Sequence, residues 1–203
     1  MRPAELSDFD ALRAMAVESG PGLTSLPVDE AILRKRLLKS VDSFAGRLEQ
    51  PEFGKYLMML ENVDTGEVGG CSAVKCGIGM NAPFFNYRII TLAQASQEAS
   101  RRFDMDALIL TNEFVGCTEG GTRVLRPEHR GAGVGRLLAQ SRYMLISTKP
   151  EWFGEKIIAE LRGVVSHEGE TPFWEWLGRH FFRMSFPEAD YLSATTDNQF
   201  ILD

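Results

Sequence analysis

A chain of 203 residues is long enough to bury one core and too short to require a second domain, so a single domain over 1–203 is expected. Its formal charge of -6 argues against general nucleic-acid binding, which needs a basic face to replace counterions. Cys71, Cys76 and Cys117 lack C-x-x-C spacing, so neither a disulfide framework nor a metal site is expected. Charged residues at Arg2, Glu5, Asp8 and Asp10 interrupt any secretory apolar segment. No apolar run approaches the roughly 18 residues of a membrane span, so the expected location is cytoplasmic.

In chain order, residues 1–4 suit the end of an edge strand. Ser7 is placed to cap a helix over residues 8–18, which Gly20-Pro21-Gly22 ends. Pro27-Val28-Asp29 opens a second helix, with Ile32, Leu33, Leu37 and Leu38 on one face and Arg34, Lys35, Arg36 and Lys39 on a solvated one. Residues 56–60 and 67–74 then read as the strands of a hairpin turning at Asp64-Thr65-Gly66, with Gly69 and Gly70 marking a bulge. Residues 81–106 look like an insertion between sheet strands. They hold the aromatics Phe84, Phe85 and Tyr87 and a strand-like run over 88–92.

Residues 112–118 lead into a central strand ending at Val124-Leu125. It breaks at Pro127, and Arg130-Gly131-Ala132-Gly133-Val134-Gly135-Arg136 opens a helical segment over 137–146. Glycines at alternate positions let a ligand approach bare main chain, and the helix mouth offers unpaired N–H groups to an anion. A dinucleotide fingerprint would need glycine where Arg136 stands, and a P-loop would need Lys-Ser or Lys-Thr after its last glycine; both fail. The competing reading is a turn that only lets strand and helix pack. Against it, Arg123, Arg126, Arg130 and Arg136 crowd one locality of an acidic chain. A strand over 156–161 follows. Thr171-Pro172 then starts a helix whose dense aromatics, from Phe173 to Phe182, are expected mostly to fill the core. Strands and helices alternate in a mixed way, so the class is α/β or α+β with a central mixed sheet.

The pattern Arg/Gln-x-x-Gly-x-Gly/Ala, met by Arg130, Gly133 and Gly135, resembles the pyrophosphate loop of GNAT acyltransferases. Longer stretches resemble the arginine N-succinyltransferase family: Ser19-Gly20-Pro21-Gly22-Leu23-Thr24-Ser25-Leu26-Pro27, Ser43-Phe44-Ala45-Gly46-Arg47, Ile158-Ala159-Glu160-Leu161-Arg162-Gly163, Pro172-Phe173-Trp174-Glu175-Trp176-Leu177-Gly178-Arg179-His180-Phe181-Phe182 and Asn198-Gln199-Phe200-Ile201. The resemblance implies a GNAT-like fold with a mixed, mostly antiparallel sheet flanked by helices. It implies succinyl-CoA as co-substrate and the α-amino group of arginine, or of ornithine, as acceptor, with a like or related subunit as partner. It also implies that family chains continue past the equivalent of Asp203, where their proton-donor histidine lies, so that region is expected to be absent here.

On this reading the main chain around Leu125 serves the thioester carbonyl and pantetheine arm, and the N–H groups of Gly131, Gly133, Val134, Gly135 and Arg136 take the pyrophosphate. Arg130 and Arg136 add charge. Arg162, Arg179 and Arg183 are candidates for the succinyl carboxylate, Glu119 and Glu160 for the guanidinium, and Glu119 equally for the general base. His180 is the catalytic histidine candidate within the chain, and His129 stands beside the loop. Two alternatives stay open: a GNAT enzyme for another acyl-CoA and amine, and a non-catalytic CoA-binding or assembly module.

Overall fold

The structure is a computed structural model and describes residues 1–20, 23–82, 84–98, 101–161, 163–196 and 201. A short strand β1 (Arg2–Pro3) lies antiparallel to β2 (Lys55–Glu61), which pairs in turn with β3 (Val68–Lys75). The chain then makes a separate two-stranded ribbon, β4 (Asn86–Ser96) and β5 (Arg101–Thr111), before returning to the sheet as β6 (Thr118–Leu125). The last strand, β7 (Ile157–Ile158), is parallel to β6, which completes the order β1-β2-β3-β6-β7. The sheet is therefore mixed and mostly antiparallel. With helices packed on it, the fold is α+β.

Both faces of β2 and β3 are covered, which is why these strands read as continuous apolar runs rather than alternating ones. On one face Leu57, Met59, Cys71 and Ala73 meet helix α1 (Phe9–Ser19), through Leu12 and Met15, and helix α2 (Glu30–Phe44), through Leu33 and Leu37. On the other, Tyr56, Met58, Val74 and Cys76 meet Leu145 and Ile146 of helix α3 (Val134–Thr148) together with Trp152 and Phe153. Tyr56 stacks on Trp152 at 5.4 Å and takes Phe44 and Phe153 at its edges.

Several expectations change in the folded chain. Ser7 does not cap the first helix; it lies inside a 3-10 turn, Leu6–Asp8, and the Asp8 carboxylate instead accepts the Glu5 N–H at 2.7 Å while taking two hydrogen bonds from Arg2. On α2, Leu38 is exposed and Ile32 only half-buried, because the buried stripe runs through Leu33, Leu37, Ser40 and Ser43. Those serines have a use: β1 is too short to pair all of β2, and the Ser40 and Ser43 hydroxyls accept the Leu57 and Lys55 N–H groups at 2.8 and 3.0 Å. The expected bulge is present. Gly69 is the unpaired residue between Leu60↔Gly70 and Glu61↔Val68.

The expected strand over 156–161 shrinks to two residues, and α3 begins at Val134 rather than 137. The largest departure is the aromatic helix. It forms a π-helical turn, Trp174–Gly178, followed by α4 (Arg179–Phe182) and α5 (Phe186–Thr196). Of its rings only Trp174 is buried, stacked on Phe182 and donating to the Met184 carbonyl at 2.9 Å. Trp176 and Phe181 are 83% and 75% exposed, so these rings do not fill the core.

Candidate functional site

The sheet opens at β6. Its register with β3 jumps from Ala73↔Gly121 to Cys71↔Val124, so Thr122 and Arg123 together oppose Ser72. Thr122 carries the bulge at φ 44°, a conformation uncommon for a β-branched residue. On the other side β7 reaches β6 only at Thr118 and Glu119. Beyond them no strand among the described residues pairs with β6 on that side, and the Arg142 guanidinium donates to the Gly120 carbonyl at 2.6 Å. Desolvation lowers the pKa of Arg142 below its ordinary value, and the carbonyl contact holds it in place. A main-chain edge is thus left open from Gly121 towards Leu125.

That edge leads into the glycine loop. After the 3-10 turn Pro127–His129, three successive residues are left-handed: Gly131 at φ 119°, Ala132 at 45° and Gly133 at 81°. Gly133 is the residue before α3, and no side chain caps the helix. The Val134 N–H turns back to the Gly131 carbonyl at 2.9 Å, and those of Arg136 and Leu137 to Gly133 at 3.0 Å. Among the described residues no acceptor takes the N–H of Gly131, Ala132 or Gly133. A Cβ at Gly131 or Gly133 would meet nothing within 4 Å, whereas one at Gly135 would lie 3.7 Å from Leu125 Cδ2. The first two glycines therefore face open space and the third lets α3 approach β6. Uncapped amides at a helix mouth, next to exposed Arg130 and Arg136, are the chemical groups that an anion site requires.

The remaining arginines and histidines part company. Arg130 Nε donates to the Leu125 carbonyl at 3.3 Å, which ties the loop to the end of β6. Arg126 turns away to Glu18, 3.3 Å off, and to the Val68 carbonyl. His129 packs over Gly69 with Nε2 3.3 Å from Glu67. Glu67, Glu128 and His129 have ligand atoms within 4.8 Å of one another, but both carboxylates are exposed and nothing further marks a cation there.

Glu119 is half-buried, on the same sheet face as the Lys75 and Lys55 positions with which it is in register. Desolvation and then the Glu119 charge raise the pKa of Glu160, just past β7, while Lys75 opposes them. Lys55 is the strongest outlier: burial, then the charges of Arg36 and Lys75, bring its amine down to about 7. The sequence contained these lysines only as the ends of a hairpin; their cross-strand alignment with Glu119, more than forty residues away, appears only once the sheet forms. His180 is exposed on α4, whose main packing is against the π-helical turn rather than the sheet. Arg179 is bound to Glu175 at 2.5 Å, Arg183 is exposed at φ 53°, and Arg162 lies outside the described residues.

A mixed sheet bulged at β6 and split from β7, with an open glycine loop at the mouth of the following helix, defines a GNAT-like acyltransferase fold. Within that class the chain belongs to the arginine N-succinyltransferase beta subunit family, whose model matches residues 1–203. It is 42% identical over 203 residues to the arginine N-succinyltransferase of Citrobacter koseri and 41% identical to that of Salmonella paratyphi B, covering 100% of this chain and 59% of each relative. It therefore spans well under two thirds of their length. The solved structure of arginine/ornithine succinyltransferase subunit AI from Pseudomonas aeruginosa superposes with a TM-score of 0.87 at 30% identity, over 95% of this chain and 58% of that one.

Proposed function

We propose that the chain holds an acyl-CoA site and transfers succinyl from succinyl-CoA to the α-amino group of arginine, with ornithine as a second acceptor. The observation that carries this reading is the left-handed run Gly131-Ala132-Gly133, whose amides no described residue takes, just past the end of β6 at Leu125. The amides and the Arg130 and Arg136 side chains take the pyrophosphate, each charge-assisted bond contributing about 1.5–3 kcal/mol once desolvated. The open edge of β6, from the bulge to Leu125, receives the pantetheine arm and the thioester oxygen.

In the reaction the amine lone pair attacks the thioester carbon, the carbonyl oxygen becomes an oxyanion, and the C–S bond then breaks to leave CoA thiolate. The proton lost by the amine goes to Glu119, the half-buried carboxylate of the β6 row. The thiolate takes its proton from solvent or from His180, whose ring is exposed and held by no hydrogen bond among the described residues. Thiol release from succinyl-CoA on adding arginine, compared with acetyl-CoA and with ornithine, is the test. Arginine-dependent release that is faster with succinyl-CoA is expected; CoA binding with no release under any pairing overturns catalysis.

That second outcome favours a non-catalytic CoA-binding and assembly module. One observation speaks for assembly with a like or related subunit: Ile89, Leu108 and Leu110 on one face of the β4–β5 ribbon, and Phe103, Met105 and Ile109 on the other, are exposed. Sedimentation across a concentration series separates a monomer from such an assembly.

A further inference from the structure

We propose that the recess between β2, β3 and β6 is a carboxylate-binding subsite in which Lys55 and Lys75 receive the carboxylate and Glu119 bounds it on the cation-binding side. The inference rests on the acyltransferase reading above and deepens it. Lys55, Lys75 and Glu119 are in register across three adjacent strands, Lys55↔Lys75 and Lys75↔Glu119, so their side chains leave the same sheet face about 4.8 Å apart. Together with Ser25, Gly121 and Thr122 they line one recess. It abuts the bulge, the point where the sheet gives up regular pairing.

None of the three side chains forms an ion pair or hydrogen bond among the described residues, although cations and a carboxylate share one small space. Glycine at 121 keeps the space clear: a Cβ there would stand 2.7 Å from Glu119 Oε1. The charges of Arg36 and Lys39 of α2 act on Lys55 as well; among the described residues Glu119 is the carboxylate that acts on it, and Lys75 also acts on Glu160. Lys55 is half-buried and Lys75 exposed, and a desolvated amine beside other cations is favoured by an anion brought to it, because the anion relieves both desolvation and repulsion.

Two substrates of the proposed reaction bring a carboxylate to this place. The α-carboxylate of the amino acid acceptor would set its α-ammonium against Glu119; the distal carboxylate of the succinyl group would reach the lysines from the bulge. The chemistry is shared, and carboxylate-free analogues separate the sources. Agmatine is arginine without its carboxylate, and butyryl-CoA has a methyl group in place of the succinyl carboxylate.

The experiment compares the wild-type chain with Lys55→Met and Lys75→Met, each first shown folded by a cooperative melt. A 10- to 100-fold loss of kcat/KM for the carboxylate-bearing substrate, with the analogue's kcat/KM within twofold of wild type, is expected from removing one charge-assisted contact. Loss confined to arginine against agmatine assigns the acceptor; loss confined to succinyl-CoA against butyryl-CoA assigns the acyl group. Equal loss for substrate and analogue, or no loss, overturns the subsite. If the wild type releases no thiol with any pair, the acyltransferase reading has failed, and calorimetric titration with arginine and with succinate alone decides the subsite. Binding of either that weakens at least tenfold in Lys75→Met supports it, and wild-type binding of neither ends it.

Discussion

Burial, followed by the charges of Arg36, Lys75 and Lys39, holds the Lys55 amine at about 7, against the roughly 10.4 of a free lysine. Between those values the unfolded chain carries the extra proton, so stability rises with pH from about 7 to about 10 and the penalty is full below 7. Lys55→Met is therefore expected to melt higher than wild type at pH 6–7, with the gap closing as pH approaches 10; thermal melts across that range check it. A more stable variant with impaired transfer would mark Lys55 as retained for function rather than folding. At the loop, Gly133 is left-handed with free space around it. Gly133→Ala should cost about 1 kcal/mol of stability and modest CoA affinity, while Gly133→Glu, which sets a carboxylate at the proposed phosphate position, should abolish binding in calorimetry. Unchanged affinity in Gly133→Glu would remove the loop from the site.

Strand β2 shows how elements are held where strand pairing runs out. Its outer edge is finished partly by β1 and partly by the α2 serines, so Ser40→Ala strands a buried Leu57 N–H. A loss of about 1–3 kcal/mol in urea unfolding is expected. β1 itself is fixed by Arg2, which bonds Asp8 at 2.7 and 2.8 Å and Glu61 at 2.5 Å. Desolvation pushes the Asp8 pKa up, but the Arg2 and Glu5 hydrogen bonds outweigh it and hold the carboxyl below its ordinary value. That contribution is present above about pH 4 and is lost as pH falls through the lowered pKa. Asp8→Asn should thus destabilise by about 1.5–3 kcal/mol at pH 7 and progressively less below pH 4, measured by denaturant titration at each pH.

At the scale of the molecule the β4–β5 ribbon stands apart from the five-stranded sheet. Its base is closed independently: the Gly116 N–H bonds the Ile78 carbonyl at 2.7 Å and the Ile78 N–H bonds Cys117 at 3.1 Å. Replacing residues 86–111 by a short glycine turn is accordingly expected to leave a cooperative melt and the proposed CoA site intact. Broad, non-cooperative unfolding would show that the ribbon is integral. Tyr87 meets Phe173 at 5.8 Å, so the ribbon's loss should also loosen the aromatic C-terminal segment, seen as a change in near-ultraviolet circular dichroism.

Local patterning was enough for the hairpin β2–β3, the Gly69 bulge, the two N-terminal helices and the glycine turn that opens α3 after Arg130, because each depends on residues close in sequence. The family was legible too, through long motifs such as the one from Pro172 to Phe182. Periodicity and composition could not tell that most of those aromatic rings stay outside the core, since burial is decided by which elements cover which faces. Nor could they show that Val134 and Arg136 satisfy their amides inside the loop while Gly131 to Gly133 leave theirs open. The row Lys55, Lys75 and Glu119 belonged to no motif. Strand register made it, by setting side chains from distant parts of the chain one pairing distance apart on one face, and only the closed sheet fixes that register.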